Sequence, residues 1–123
     1  MTDGDEVFNG GTAPVQRITE LEGVPLDGPV DVLVRARSST MLVLEVHMPA
    51  GTRSNPHRHA TDSTGYLLTG QVRAVVAGEE TLLQPGDAFV HPPGIEHHVE
   101  ALEDSHWIEI KSPPTSPFAA SSG

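Results

Sequence analysis

The feature that most restricts the fold is a period of two. Apolar side chains recur at every second residue in short runs, and no long stretch carries the period of an amphipathic helix. Val30, Val32, Val34 and Ala36 alternate with Asp31, Leu33, Arg35 and Arg37. Leu42, Leu44, Val46 and Met48 alternate with Met41, Val43, Glu45 and His47, and Val72, Ala74 and Val76 with Gln71, Arg73 and Val75. Shorter runs follow at Thr64–Thr69, Thr81–Gln84, Asp87–His91, His97–Leu102 and His106–Lys111. Glycine and proline separate them at Pro49-Ala50-Gly51, Gly70, Gly78, Pro85-Gly86 and Pro92-Pro93-Gly94. Many short strands with such turns predict an all-β, antiparallel sandwich or barrel. The strands follow one another too closely for the helical crossovers of a parallel sheet.

The ends differ from this middle. Residues 1–14 are polar and Gly-rich, and residues 113–123 are built mainly from Pro, Ser and Ala. Both read as flexible tails around one domain at 15–112, although a tail adding an edge strand to a second subunit is the other reading. Seven Lys and Arg oppose 17 Asp and Glu, a net charge of −10, which argues against nucleic acid or an anionic membrane as a partner. No apolar run is long enough to span a bilayer, and the acidic start is unlike a secretory signal, so a cytoplasmic location is expected. The chain has no Cys and seven His. Disulfides, thiolate metal sites and cysteine nucleophiles are thereby excluded, and any metal must rest on imidazole and oxygen.

His57 and His59 flank a single residue, and on an extended backbone residues two apart face the same way. Two imidazoles on one face are a ligand pair for Zn, Fe, Ni or Cu, although two surface histidines give the same pattern. Pro93 and Gly94 suit the central positions of a type II turn, after which a new strand would deliver His97.

Two spaced motifs resemble those of the cupin superfamily. The first family pattern, G-x5-H-x-H-x3–4-E-x6-G, reads here as Gly51, His57, His59, Ser63 in place of Glu, and Gly70. The second, G-x5-P-x-G-x2-H-x3-N, reads as Gly86, Pro92, Gly94 and His97, with Ala101 in place of Asn. The resemblance covers about residues 40–112 and implies a small antiparallel jelly-roll β-barrel, paired as a homodimer. It also implies a divalent metal (Fe, Zn, Ni or Mn) held by His57, His59 and His97. Ser63 departs from the family's carboxylate ligand. Either the three His hold the metal alone, or a small register shift brings in the neighbouring Asp62, or the site has lost its ion. A three-His arrangement also occurs in some cupin-type dioxygenases.

The last alternating run places Trp107, Glu109 and Lys111 on one face and His106, Ile108 and Ile110 on the other. If the first set faces the cavity, Glu109 is a candidate general base and Lys111 an anion anchor. If Ile108 and Ile110 pack inside, the charged pair meets solvent. His91 is a candidate substrate contact or support for the metal ligands. His47 and His98 are expected to point outward, and Tyr66 and Phe89 to pack inside or floor the pocket. In the cupins that open the ring of unsaturated uronates, an aromatic and an Arg line the site. Lys111 and Thr115 stand at those places here, which disfavours that substrate. The resulting expectation is a metal-dependent enzyme acting on a small oxygen-chelating molecule such as an enol, dicarbonyl or hydroxy acid. Its reaction would be dioxygenation or non-oxidative isomerisation, cyclisation or elimination. A non-catalytic binding or sensing role is the alternative.

Overall fold

The computed structural model describes residues 5–7 and 13–114. Ten antiparallel strands occur among them: β1 Glu6–Val7, β2 Val15–Leu21, β3 Val24–Arg37, β4 Leu42–Met48, β5 Asp62–Thr69, β6 Val72–Val76, β7 Glu79–Leu83, β8 Ala88–His91, β9 His97–Ala101 and β10 Ser105–Ser112. The alternation in the sequence sets which side chains meet. Val30, Val32 and Val34 on β3 and Leu42, Leu44, Val46 and Met48 on β4 are buried, with Leu67, Val72, Ala74, Leu83 and Trp107, in one core. Two-residue turns make the tight connections. Glu22 and Gly23 join β2 to β3, and Ala77 and Gly78 join β6 to β7, each pair with positive φ as type I′ hairpins require.

The strands form two sheets. The larger runs β1-β3-β4-β10-β5-β8, with β2 also paired to β3; the smaller runs β7-β6-β9. The expected closed jelly-roll barrel is therefore corrected to two open antiparallel sheets facing each other across the core. The physical reason lies in the segment between β4 and β5. It runs beside β9, with mutual backbone bonds between His57 and His97 and further bonds from Gly51 to Ala101 and from Ser54 to Val99. It also bonds to β3 through Asp27 and Arg53. These contacts remain isolated bridges: Val99 N–H goes to the Ser54 side chain at 2.9 Å and not to a backbone carbonyl, and the register shifts between Arg53↔Glu100 and His57↔His97.

Two strands went unseen in the sequence. β2 buries only Ile18 deeply, so its apolar period is weak, and β3 extends back to Val24 through a largely exposed stretch that contains Pro25, Gly28 and Pro29. Glu6 and Val7, inside the segment expected as a tail, pair with Arg37 and Ala36 of β3. The tail expectations for residues 1–4, 8–12 and 115–123, Thr115 included, lie outside the described residues. No helix among the described residues is long and apolar enough to cross a membrane.

Candidate metal centre

His57 and His59 come from the irregular segment after β4, and His97 opens β9. The Pro-Gly turn forms as expected: Ile95 N–H donates to Pro92 C=O at 3.3 Å, and Gly94 takes φ 72°. Gly94 N–H also donates to His59 C=O, tying the turn to the His-x-His segment. One ring nitrogen of each of the three His lies within 4.8 Å of the others, so the sequence-predicted triad is brought together.

Hydrogen bonds at the other ring nitrogens fix the tautomers. His57 Nδ1 donates to Asn55 C=O at 2.7 Å and His97 Nδ1 to Ile95 C=O at 3.2 Å. A carbonyl only accepts, so each Nδ1 carries the proton and each Nε2 keeps its lone pair. His59 Nδ1 contacts Glu22 Oε1 at 2.9 Å, which has the same effect. Burial pushes all three rings below the ordinary His range, His97 to about 3, so they stay neutral. Three neutral imidazoles, each backed by an acceptor, form a donor set that fits a divalent transition ion. Glu22, at the tip of the β2–β3 hairpin, was missed from the sequence. The Glu-Gly pair between two strand-like runs was its only signal.

The large sheet supplies the facing wall. The alternation on β10 resolves with Trp107, Glu109 and Lys111 inward and buried, and His106, Ile108 and Ile110 outward. Glu109 accepts from Trp107 Nε1 at 3.0 Å through Oε1 and pairs with Lys111 Nζ at 2.9 Å through Oε2. Lys111 Nζ also donates to Ser63 Oγ at 2.8 Å. Burial raises the Glu109 carboxyl, but the Lys111 charge and the Trp107 N–H outweigh it and hold the group at about 2. Ser63 points inward and is 1% exposed, whereas Asp62 faces outward and stays outside the site. The Lys111 head group therefore sits on the hydroxyl that replaces the family's carboxylate.

His91, at the end of β8, stacks on His97 with ring centroids 4.0 Å apart and planes 20° off parallel. Burial lowers its pKa to about 4, and its Nε2 is buried with no hydrogen-bond partner among the described residues. These groups line one cavity whose remaining wall is apolar, formed by Leu26, Val32, Leu44, Met48, Leu67, Phe89 and their neighbours. Phe89 lies over Gly65, its direct cross-strand partner, where a Cβ would collide with the ring. Tyr66 departs from expectation: it is 49% exposed on the outer face. His47 lies on that outer face, as expected, and His98 on β9 is partly exposed. Arg53 and Arg73 spend their charge on exposed carboxylates, and Arg58 donates to Gly94 C=O, which leaves Lys111 as the cation of the cavity wall.

The arrangement divides by sheet. His57, His59 and His97 hang on the small-sheet side, and Ser63, His91, Glu109 and Lys111 on β5, β8 and β10 of the large one. A clustered three-His site able to coordinate a divalent ion, with an acidic group beside it, is consistent with metal-dependent dioxygenase or isomerase chemistry on a small organic molecule.

Known proteins resemble this chain in sequence and fold. The chain is 31% identical over 83 residues to the pectin degradation protein KdgF of Dickeya dadantii, covering 66% of this chain and 76% of that one. The structure of KdgF from a Halomonas species superposes with a TM-score of 0.74 at 28% identity, covering 90% of this chain and 96% of that chain. A predicted oxalate decarboxylase from Thermotoga maritima shares the fold, with a TM-score of 0.73 at 19% identity over 87% of this chain and 98% of that chain. Residues 44–110 match the family model described as Cupin domain, and the chain belongs to that family.

Proposed function

We propose that the protein is a metal-dependent cupin enzyme that isomerises or eliminates water from a small hydroxylated or keto carboxylate without oxygen. The observation that carries this reading is the pairing of three Nε2 lone pairs with a buried Lys111–Glu109 pair across one apolar cavity. A divalent ion at the three His would supply Lewis-acid polarisation of two substrate oxygens. Lys111 anchors the anionic end of the substrate. Both Glu109 oxygens are engaged, which suits it to holding Lys111 in place more than to taking a proton. His91 Nε2, buried and unpartnered, is the group placed to hydrogen-bond a reacting oxygen or to move its proton. The apolar wall excludes water, so these few polar groups act at low dielectric.

The names of the KdgF relatives speak for a sugar-acid class of substrate, since pectin is a polymer of sugar acids. Lys111 in place of an aromatic still disfavours the unsaturated uronate itself. A second reading, oxygenative cleavage, is favoured by Ser63 standing where a carboxylate ligand is expected. The protein works as a homodimer, supported by the partly exposed apolar row Val43, Ile108, Ile110, Tyr66 and Val90 on the outer face of the large sheet. Nucleic acid is not a partner, in keeping with the −10 charge, and the location is cytoplasmic.

The test is turnover of sugar-acid and keto-acid panels by protein loaded in turn with Zn, Mn, Ni and Fe(II), with an oxygen electrode in the cell. Product without oxygen uptake supports the isomerase or lyase. Oxygen uptake only with Fe(II) transfers the site to the dioxygenase reading. Ligands that raise the melting temperature but give no product leave a sensor. A monomer by light scattering overturns the dimer.

A further inference from the structure

The outer face of the large sheet carries a second set of metal-type donors that the cavity chemistry does not use. Glu45 and His47 are two residues apart on β4 and so share a face, and His106 lies directly opposite His47 on β10. The two imidazoles stack with centroids 4.1 Å apart and planes 13° off parallel. Both turn Nε2 toward the same oxygen, Glu45 Oε2, which lies 3.1 Å from His106 and 3.7 Å from His47. One ligand atom from each of the three residues falls within 4.8 Å of the others. An ion about 2.0–2.2 Å from each tetrahedral donor sets the donors roughly 3.3 Å apart, which the two Glu–His distances bracket, and the stacked rings would splay apart to aim both lone pairs at it. Glu45 Oε1 is held by Arg35 Nε at 3.3 Å, which turns Oε2 toward the histidines. In the single chain the side chains are 46% (His47), 23% (Glu45) and 27% (His106) exposed, which gives an ion and a water ligand access; Glu45 lies opposite Ile108, so a dimer paired through the apolar row would border the site.

We propose that Glu45, His47 and His106 form a second divalent-metal site, for an ion of the Zn, Ni or Cu class. Two imidazoles and a carboxylate select such ions over Mg or Ca, which prefer oxygen throughout. The fourth position stays open to water. The site is independent of the cavity, because its side chains point to the opposite face of the same sheet.

Equilibrium dialysis of chelator-stripped, full-length protein against Zn²⁺, followed by elemental analysis, tests this. Wild type is expected to bind two equivalents, His106→Ala one, and His57→Ala/His59→Ala one. The combined triple variant is expected to bind none. Zn²⁺ should raise the melting temperature of His57→Ala/His59→Ala and leave that of the triple variant unchanged. Should His106→Ala fail to melt cooperatively, Glu45→Gln replaces it with a near-isosteric change. A wild type that binds one equivalent, lost in His57→Ala/His59→Ala, overturns the outer site alone. One equivalent lost in His106→Ala instead keeps the outer site and overturns the cavity triad. Two equivalents retained in both His106→Ala and Glu45→Gln also overturn the outer site.

Discussion

Two histidine clusters lie on opposite sides of the large sheet, one across the cavity on the small-sheet side and one on the outer face, and they are built differently. In the cavity, His57 and His97 lean on backbone carbonyls, and burial keeps them neutral. Outside, His47 and His106 lean on Glu45, which is itself shared with Arg35. A carbonyl fixes a tautomer and leaves the lone pair free for an ion. A carboxylate instead competes with the ion for the ring, and it is also a potential ligand. The inner set is thus preorganised, and the outer set must swing its stacked, near-parallel rings apart so that both lone pairs meet one ion, and give up contacts to bind. Preorganisation distinguishes the two sites more than ligand type does.

Four experiments would break or sharpen that contrast, from the largest effect to the smallest. Lys111→Met leaves the buried Glu109 charge unpaired and should cost about 3–5 kcal/mol in urea unfolding. Adding Glu109→Leu should recover most of that loss while activity stays absent, which would separate a functional pair from a stabilising one. Stripping the inner ion comes next. Saturation at about 100 times Kd stabilises by about 2.7 kcal/mol, so chelation should lower the melting temperature by several degrees in wild type and by much less in His57→Ala/His59→Ala, which keeps only the outer site. Glu22→Ala removes the acceptor behind one cavity ligand only, and metal affinity there should fall about 10- to 100-fold, read by competition with a chromophoric chelator. The smallest effect belongs to the outer face. Arg35→Met frees Glu45 from its cation, so Zn²⁺ should bind that face several-fold more tightly with stability changed by less than about 0.5 kcal/mol. An unchanged or weaker outer affinity would mean that Arg35 orients the carboxylate more than it competes for it.

The parts readable in the sequence are those fixed by local spacing. His57 and His59 share an extended segment, and Pro93-Gly94 sets the turn that delivers His97; that the three meet at one point followed from the resemblance to the cupin motifs, since His57 and His97 pair between distant segments. The buried faces of β3 and β4 followed from alternation alone. Contacts between distant elements were opaque. Glu22 reaches His59 across 37 positions, Lys111 reaches Ser63 across 48, and His106 reaches Glu45 across 61. The facing of β10 was ambiguous for a physical reason: both of its faces carry apolar atoms, and the buried charges are tolerated only because they pair with each other. Barrel closure failed as an expectation because a side chain, Ser54, takes the Val99 N–H at the seam and the register shifts there, so no continuous ladder forms.

That seam has a consequence for how such a pocket can change. Ion-binding groups are carried by one leaf, and charge and hydrogen-bonding groups by the other, with no strand common to both. Substitutions on β10 can therefore retune what the cavity accepts without touching the donors that hold the ion, whereas on β8 His91 stacks directly on His97. The converse holds for the segment around His57 and His59. The pocket is modular in its heredity: a lineage could exchange its substrate and keep its metal.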